Sequence, residues 1–259
     1  MAPVILPDLR LNAELSGPAD GAPLVLLHAL GTNLTLWDEV AALLPRHRIL
    51  RIDMRGHGQS DVPPAPYAMG QLVRDAERVI VHFGLTETVV AGVSIGGLIA
   101  QGLAVKRLDL VRGLVLSNTA ARIGTAETWK ARIAEVRKGG LGPIMDTTMQ
   151  RWLGRGWTSA PALPRLRAMM AATDPEGWMG CAAAIAGTDF YETTATLRLP
   201  ALAIAGANDG STPADRGRQQ PDADVAANRP LGDRGQILQV PEGVAGGQSG
   251  RGRHVEVRV

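Results

Sequence analysis

The sequence predicts an α/β fold: a doubly wound, mostly parallel sheet with an inserted helical cap. Five short runs carry the first half of that expectation: "APLVLLHAL" (22–30), "HRILRIDM" (47–54), "ETVVAGVS" (87–94), "VRGLVLSN" (111–118) and "PALAIAGA" (200–207). Each is almost continuously apolar rather than alternating, the pattern of a strand covered on both faces in a parallel sheet. Amphipathic helical candidates lie between them, over 37–44, 69–83 and 96–110. Strand–helix alternation of this kind defines a doubly wound sheet. The second half comes from a break in that rhythm. From 118 to 197 no strand is evident, while helical stretches such as "AETWKARIAEVRKGG" and "PALPRLRAMMAA" follow one another. Roughly 80 residues of helix are too many for one crossover, so a cap over the carboxyl edge of the sheet is expected, where ligands bind in open α/β folds.

The chain therefore divides into a core (1–118 and 198–243), a helical cap (119–197) and a Gly/Arg-rich tail (244–259) read as a linker or disordered segment. "QILQVPEG" (236–243) is the candidate last strand. Before it, "ADRGRQQPDADVAANRPLGDRG" has two prolines and no apolar stripe where a sheet-covering helix belongs. An apolar fraction of 45% in 259 residues allows a sizeable core. With 27 Lys and Arg against 25 Asp and Glu, and no basic stripe on any element, nucleic acid is not an expected partner. The N-terminus lacks a charged leader before an apolar core, and no apolar run approaches the ~18 residues of a membrane span. A cytoplasmic protein acting on a small molecule is the expectation; its oligomeric state is not legible. The single cysteine, Cys181, excludes an intrachain disulfide and sits in an apolar run without a neighbouring histidine, which suits packing rather than nucleophilic work.

"VVAGVSIGGLIAQ" supplies the chemistry. Gly92-Val93-Ser94-Ile95-Gly96 fits G-x-S-x-G between an apolar strand and an apolar helix. A serine at so sharp a strand-to-helix turn needs small residues two before and two after it, because the backbones approach closely there. The helix N-terminus then directs free N–H groups at charge developing beside Ser94. The second donor is expected from the loop after the 22–30 strand, "LLHALGTN", so the oxyanion hole is assigned to the amides of Leu30 and Ile95. The acid follows a late strand: Asp209 in "IAGANDGSTP", with Asp215 as competitor beyond Pro213. His28 precedes the turn on the wrong element for a base and reads as a loop residue. His47 and His82 read as a surface turn residue and a helix residue, and no histidine pair has metal-ligand spacing with a carboxylate, so no metal site is expected.

"HALGTNLTLWD", "RIDMRGHGQSDVP", "AGVSIGGLIAQGLA", "LSNTAARIGTAETWKARI", "MMAATDPEGWMGCAAAI" and "GANDGSTP" together resemble the 3-oxoadipate enol-lactonase branch of the α/β-hydrolase family, from about residue 10 to residue 213. "SNTAARIGTAE…W" and "ATDPEGW.GC" fall in the cap, where unrelated hydrolases diverge. The resemblance implies hydrolysis of an enol-lactone to 3-oxoadipate in aromatic-compound breakdown, without cofactor, and gives His57 in "RGHGQS" a structural place. A substrate bearing a free carboxylate needs a cationic anchor: Arg122 is the first candidate and Arg132 the second, each against a solvated surface role. Trp129 and Trp178 are candidates for the pocket wall, or for the core.

The base is where the sequence departs from that pattern. The family's histidine follows the last strand in a G-x-G-H turn with E-x-P beyond; here the stretch is "PEGVAGGQSG", and His254 comes eleven positions after Gly243 with no E-x-P after it. Eleven extended residues span up to about 36 Å, so reach does not exclude His254. Three readings stay open: a working lactonase or related carboxylic-ester hydrolase using His254; a hydrolase fold without its base, acting as a binding protein; and a frameshifted or truncated reading of a lactonase gene, since resemblance stops abruptly after Pro213.

Overall fold

A computed structural model describes residues 3–206 and the backbone of 235–240. Two short strands, β1 (Val4–Ile5) and β2 (Arg10–Leu11), form an antiparallel ribbon. β3 (Ala13–Ser16) and β4 (Ala22–Leu27) follow, then a 3-10 turn over Leu34–Trp37 that runs into α1 (Asp38–Ala42). β5 (His47–Ile52), α2 (Met69–His82), β6 (Thr88–Val93), α3 (Ile95–Lys106) and β7 (Val111–Ser117) complete the first part of the core. Among the described residues the main sheet has seven strands in the order β3-β5-β4-β6-β7-β8-β9, β8 being Ala201–Gly206 and β9 Gly235–Val240. β3 is antiparallel and the rest are parallel.

The continuous apolar strands now have their physical reason. Along β4, Val25 and Leu27 point into one core with α2 and α3, while Leu24 and Leu26 point to the opposite face with Trp37 and Ile49. Alternate residues leave opposite sides of a strand, so a sheet covered on both sides needs every position apolar. The expected strand 236–243 appears as β9, paired with β8 in parallel register from Ala201 opposite Gly235 to Gly206 opposite Val240.

Between β7 and β8 lie only helices and turns: α4 (Ala126–Gly139), α5 (Met145–Leu153), α6 (Leu163–Ala171), α7 (Pro175–Ala186) and α8 (Tyr191–Ala195). Their starts are written locally. Thr125 accepts the Thr128 amide ahead of α4, and Asp174 accepts the Glu176 amide at 2.8 Å ahead of Pro175 in α7. The cap meets the core at two different kinds of contact. Gly177 of α7 crosses Gly56 so closely that a Cβ on Gly177 would lie 2.1 Å from the Gly56 carbonyl oxygen. On α6, Arg165 reaches Glu39 at 2.9 Å and hydrogen-bonds the Thr35 carbonyl.

Candidate active site

The Ser94 turn holds strained backbone at the carboxyl edge of the sheet. Ser94 has φ 56° and ψ −117°, a conformation that side-chain-bearing residues rarely hold. Its surroundings impose it. The Ser94 N–H donates to the Ser117 carbonyl at 3.1 Å, and its own carbonyl accepts the Gly97 amide at 3.0 Å and the Thr119 hydroxyl at 2.7 Å. A Cβ on Gly92 would lie 2.3 Å from Gly96, and one on Gly96 would lie 2.4 Å from the Leu27 carbonyl oxygen. Both glycines of the motif are therefore steric requirements. Ile95 opens α3, so its amide has no partner within the helix.

The loop after β4 is pinned from beneath. The Gly31 amide donates to His57 Nε2 at 2.9 Å, and the Leu34 amide donates to the buried Asp53 carboxylate at 2.6 Å. Asp53 also accepts from Asn12 Nδ2 at 2.7 Å and the Gln59 amide at 3.0 Å. His28 Nε2 accepts the Met54 amide at 3.0 Å while Nδ1 faces the Ala29 carbonyl at 2.9 Å. These bonds call for neutral imidazoles with Nδ1 protonated and Nε2 occupied. Neither ring is free to serve Ser94, and both are structural.

Burial pushes His28 down to about 4; burial and then the nearby His28 push His57 down to about 3. Unfolded, each takes a proton near 6.5. The pair therefore contributes stability that is complete above about pH 6.5 and is lost as pH falls. With two extra protons bound by the unfolded chain, the slope approaches about 2.7 kcal/mol per pH unit, and about 2.5 kcal/mol disappears between pH 7 and 5.5. Urea unfolding at those two pH values checks this; an unchanged midpoint would show that the two rings do not stay neutral.

A cavity of about 460 Å³ opens beside Ser94 between the sheet edge and the cap. Ser94 and Leu30 line its core side; Trp129 and Arg132 of α4, Thr148 and Arg151 of α5, and Trp178 of α7 line its cap side. Trp129 and Trp178 have ring centroids 6.4 Å apart, and the Trp129 indole N–H is held by the Ile123 carbonyl at 2.6 Å. The Arg132 guanidinium lies over both rings, 4.6 and 5.5 Å from their centroids. Burial pushes it down to about 10, and the Arg151 charge acts the same way, so it stays cationic at neutral pH.

Arg122 is a correction. It lies outside the cavity, exposed, and 3.5 Å from Asp189. Ala121 and Ile123 on either side are buried, and the bend at Ala121 and Arg122 leaves the arginine facing outward. The apolar flanks in "AARIG" were the available signal. Of the two arginine candidates, the cavity holds Arg132. Arg151 and Thr148 were not anticipated at all, because nothing in "MDTTMQRWLGRG" marks them as near Ser94. Asp209, Asp215, His254 and the 244–259 tail lie outside the described residues. Among the described residues no side chain hydrogen-bonds Ser94 Oγ, no cluster of His, Cys, Asp or Glu is arranged for a metal, and no helix is long and apolar enough to cross a membrane.

A mostly parallel sheet with one antiparallel edge strand, a serine at a strained strand-to-helix turn and a cap inserted after β7 define the α/β hydrolases, and this chain belongs to that family. Residues 22–134 match the family model described as the alpha/beta hydrolase fold. The resemblance to the enol-lactonase branch also stands. 3-oxoadipate enol-lactonase 2 of Acinetobacter baylyi is 35% identical over 208 residues, covering 79% of this chain and 78% of that protein. 3-oxoadipate enol-lactonase 1 of the same organism is 29% identical over 205 residues, 78% and 77% of the two chains. Among solved structures, the enol-lactonase from Burkholderia xenovorans superposes with a TM-score of 0.82 at 29% identity, covering 92% of this chain and 90% of that one. A hydrolase from Pseudomonas aeruginosa gives 0.83 at 32%, covering 92% and 89%.

Proposed function

We propose that the chain is a serine hydrolase that opens an enol-lactone carrying a free carboxylate, 3-oxoadipate enol-lactone being the substrate its relatives point to. The observation that carries this reading is the pairing, in one cavity, of the strained Ser94 with the Arg132 guanidinium stacked on Trp129 and Trp178. Ser94 Oγ attacks the lactone carbonyl carbon as its proton passes to an imidazole. The amides of Leu30 and Ile95 hold the resulting oxyanion. The carbon–oxygen bond of the ring breaks, the enolate leaves and is protonated to the ketone, and water then cleaves the acyl-enzyme to regenerate Ser94.

Elimination leaves one histidine to propose as the base. The chain has five histidines; His28 and His57 have their Nε2 atoms engaged, His47 begins β5, and His82 is exposed on α2. His254 remains, with Asp209 as its orienting acid. The test is lactone hydrolysis by the full chain beside His254→Ala, with phosphonate labelling of Ser94 in both. A robust rate lost in His254→Ala supports the complete triad. A negligible rate in the unmutated chain, with Ser94 resistant to the phosphonate, overturns it and leaves a fold without its base.

A further inference from the structure

The helix behind Ser94 carries one polar residue that its own packing does not explain. From Ile95 to Val105, α3 is apolar except at Gln101, which is 2% exposed. A buried amide costs free energy unless its polar atoms are met, and an apolar side chain would fill the same space without that cost. Here both ends are engaged. Nε2 donates to the Gly97 carbonyl at 3.1 Å and to the Ala120 carbonyl at 3.2 Å, and Oε1 accepts the Thr194 hydroxyl at 2.9 Å. Two carbonyls on one side fix which end of the amide is nitrogen.

The partners lie on three separate parts of the chain. Gly97 is in the first turn of α3, and its amide holds the Ser94 carbonyl. Ala120 lies just past β7, where the chain leaves the sheet for the cap; Thr194 lies on α8, where it returns. Neighbouring contacts close the same joint. The Phe190 amide donates to the Ala121 carbonyl at 3.0 Å, and a Cβ on Gly102 would lie 3.3 Å from the Phe190 ring. From Ala120 the chain runs on to Ile123, whose carbonyl holds the Trp129 indole N–H at 2.6 Å. Gln101 thus joins the nucleophile's helix to the segments that carry the facing wall of the cavity.

We propose that Gln101 is a positioning residue that ties both crossings of the cap to the nucleophile helix, and so sets how far the Trp129 wall stands from Ser94. It does not line the cavity and acts through the elements it joins. Its effect falls on ligands long enough to reach from Ser94 to the cap, where a misplacement of about 1 Å costs about 100-fold in rate. A short ester that needs only Ser94 and the oxyanion hole escapes this loss, because Ser94 keeps its own bonds to Ser117, Gly97 and Thr119. That selectivity rests on the hydrolase reading of Ser94; the tie itself does not.

Gln101→Met keeps the length of the side chain and removes its amide, while Thr194→Val removes the exit tie alone. Amide hydrogen exchange of the full chain, followed by mass spectrometry, reads the joint without any turnover. In Gln101→Met, segments 118–125 and 188–197 are expected to exchange about 10- to 100-fold faster, with α2 unchanged. Kinetics then compare 3-oxoadipate enol-lactone with p-nitrophenyl acetate. Gln101→Met lowers kcat/KM for the lactone by about 10- to 100-fold and for the acetate by less than about 2-fold. Thr194→Val loses about 3- to 10-fold on the lactone alone. The double variant is no worse than Gln101→Met, since both changes break one joint. The proposal is overturned if the two segments exchange at the parent's rate, or if both esters lose rate together, as a general loosening of the fold would make them. Thermal melts show which variants are folded; if Gln101→Met is not, Thr194→Val carries the same tests. A parent that turns over neither ester overturns the hydrolase reading and leaves hydrogen exchange to decide the tie.

Discussion

Ser94→Gly abolishes hydrolysis and raises the unfolding free energy by about 1 kcal/mol. The serine holds φ 56° and ψ −117°, where a Cβ carries strain of about 1–3 kcal/mol, and glycine removes it. Greater freedom of glycine in the unfolded chain takes back up to about 1 kcal/mol of that relief. Ser94→Ala keeps the strain, so it loses the nucleophile with stability unchanged. Both variants lower kcat/KM by about 10⁴-fold or more, leaving what the oxyanion hole and binding supply. Equilibrium urea unfolding separates the two. If the glycine variant is no more stable than the alanine variant, the backbone at Ser94 stores no strain.

Gly96→Ala has the largest expected effect on folding. Its Cβ would stand 2.4 Å from the Leu27 carbonyl and 2.8 Å from the His28 carbonyl, both main-chain atoms at the end of β4. Relief requires α3 to move away from the sheet it covers, opening the packing of Leu98, Ile99 and Leu103. A loss of about 4 kcal/mol or more follows, enough to remove most of the stability of an ordinary domain. Gly70→Ala is the contrast. It sits in α2 with nothing within 4 Å of the added methyl, and gains up to about 1 kcal/mol in helix propensity. Thermal melts of the two variants should diverge in opposite directions; a folded Gly96→Ala protein with the parent's melting temperature would disprove the close approach.

The parallel strands and Ser94 were legible because each rests on a local pattern: unbroken apolar runs in one case, G-x-S-x-G between a strand and a helix in the other. β1, β2 and β3 were not, since they are two to four residues long and lie where no apolar run marks them. The cap was visible as an interval without strands, and its tryptophans and Arg132 stood in recognisable strings. Arg151 and Thr148 were hidden for a different reason. Their nearness to Ser94 depends on how α5 packs over the sheet edge, which no spacing along the chain encodes. The supports of the Leu30 loop were hidden likewise: Asp53 and His57 lie far along the chain from the amides they accept.

Two of the cap's attachments respond differently to the solution. Where Gly177 crosses Gly56, main chain rests on main chain, and the contact contains no charge for dissolved ions to weaken. Arg165 meets Glu39 and Asp38 at the surface, where ionic screening acts within a Debye length of about 10 Å at 0.1 M salt. Raising ionic strength therefore slackens α6 and leaves α7 seated, so the two sides of the cap do not loosen together.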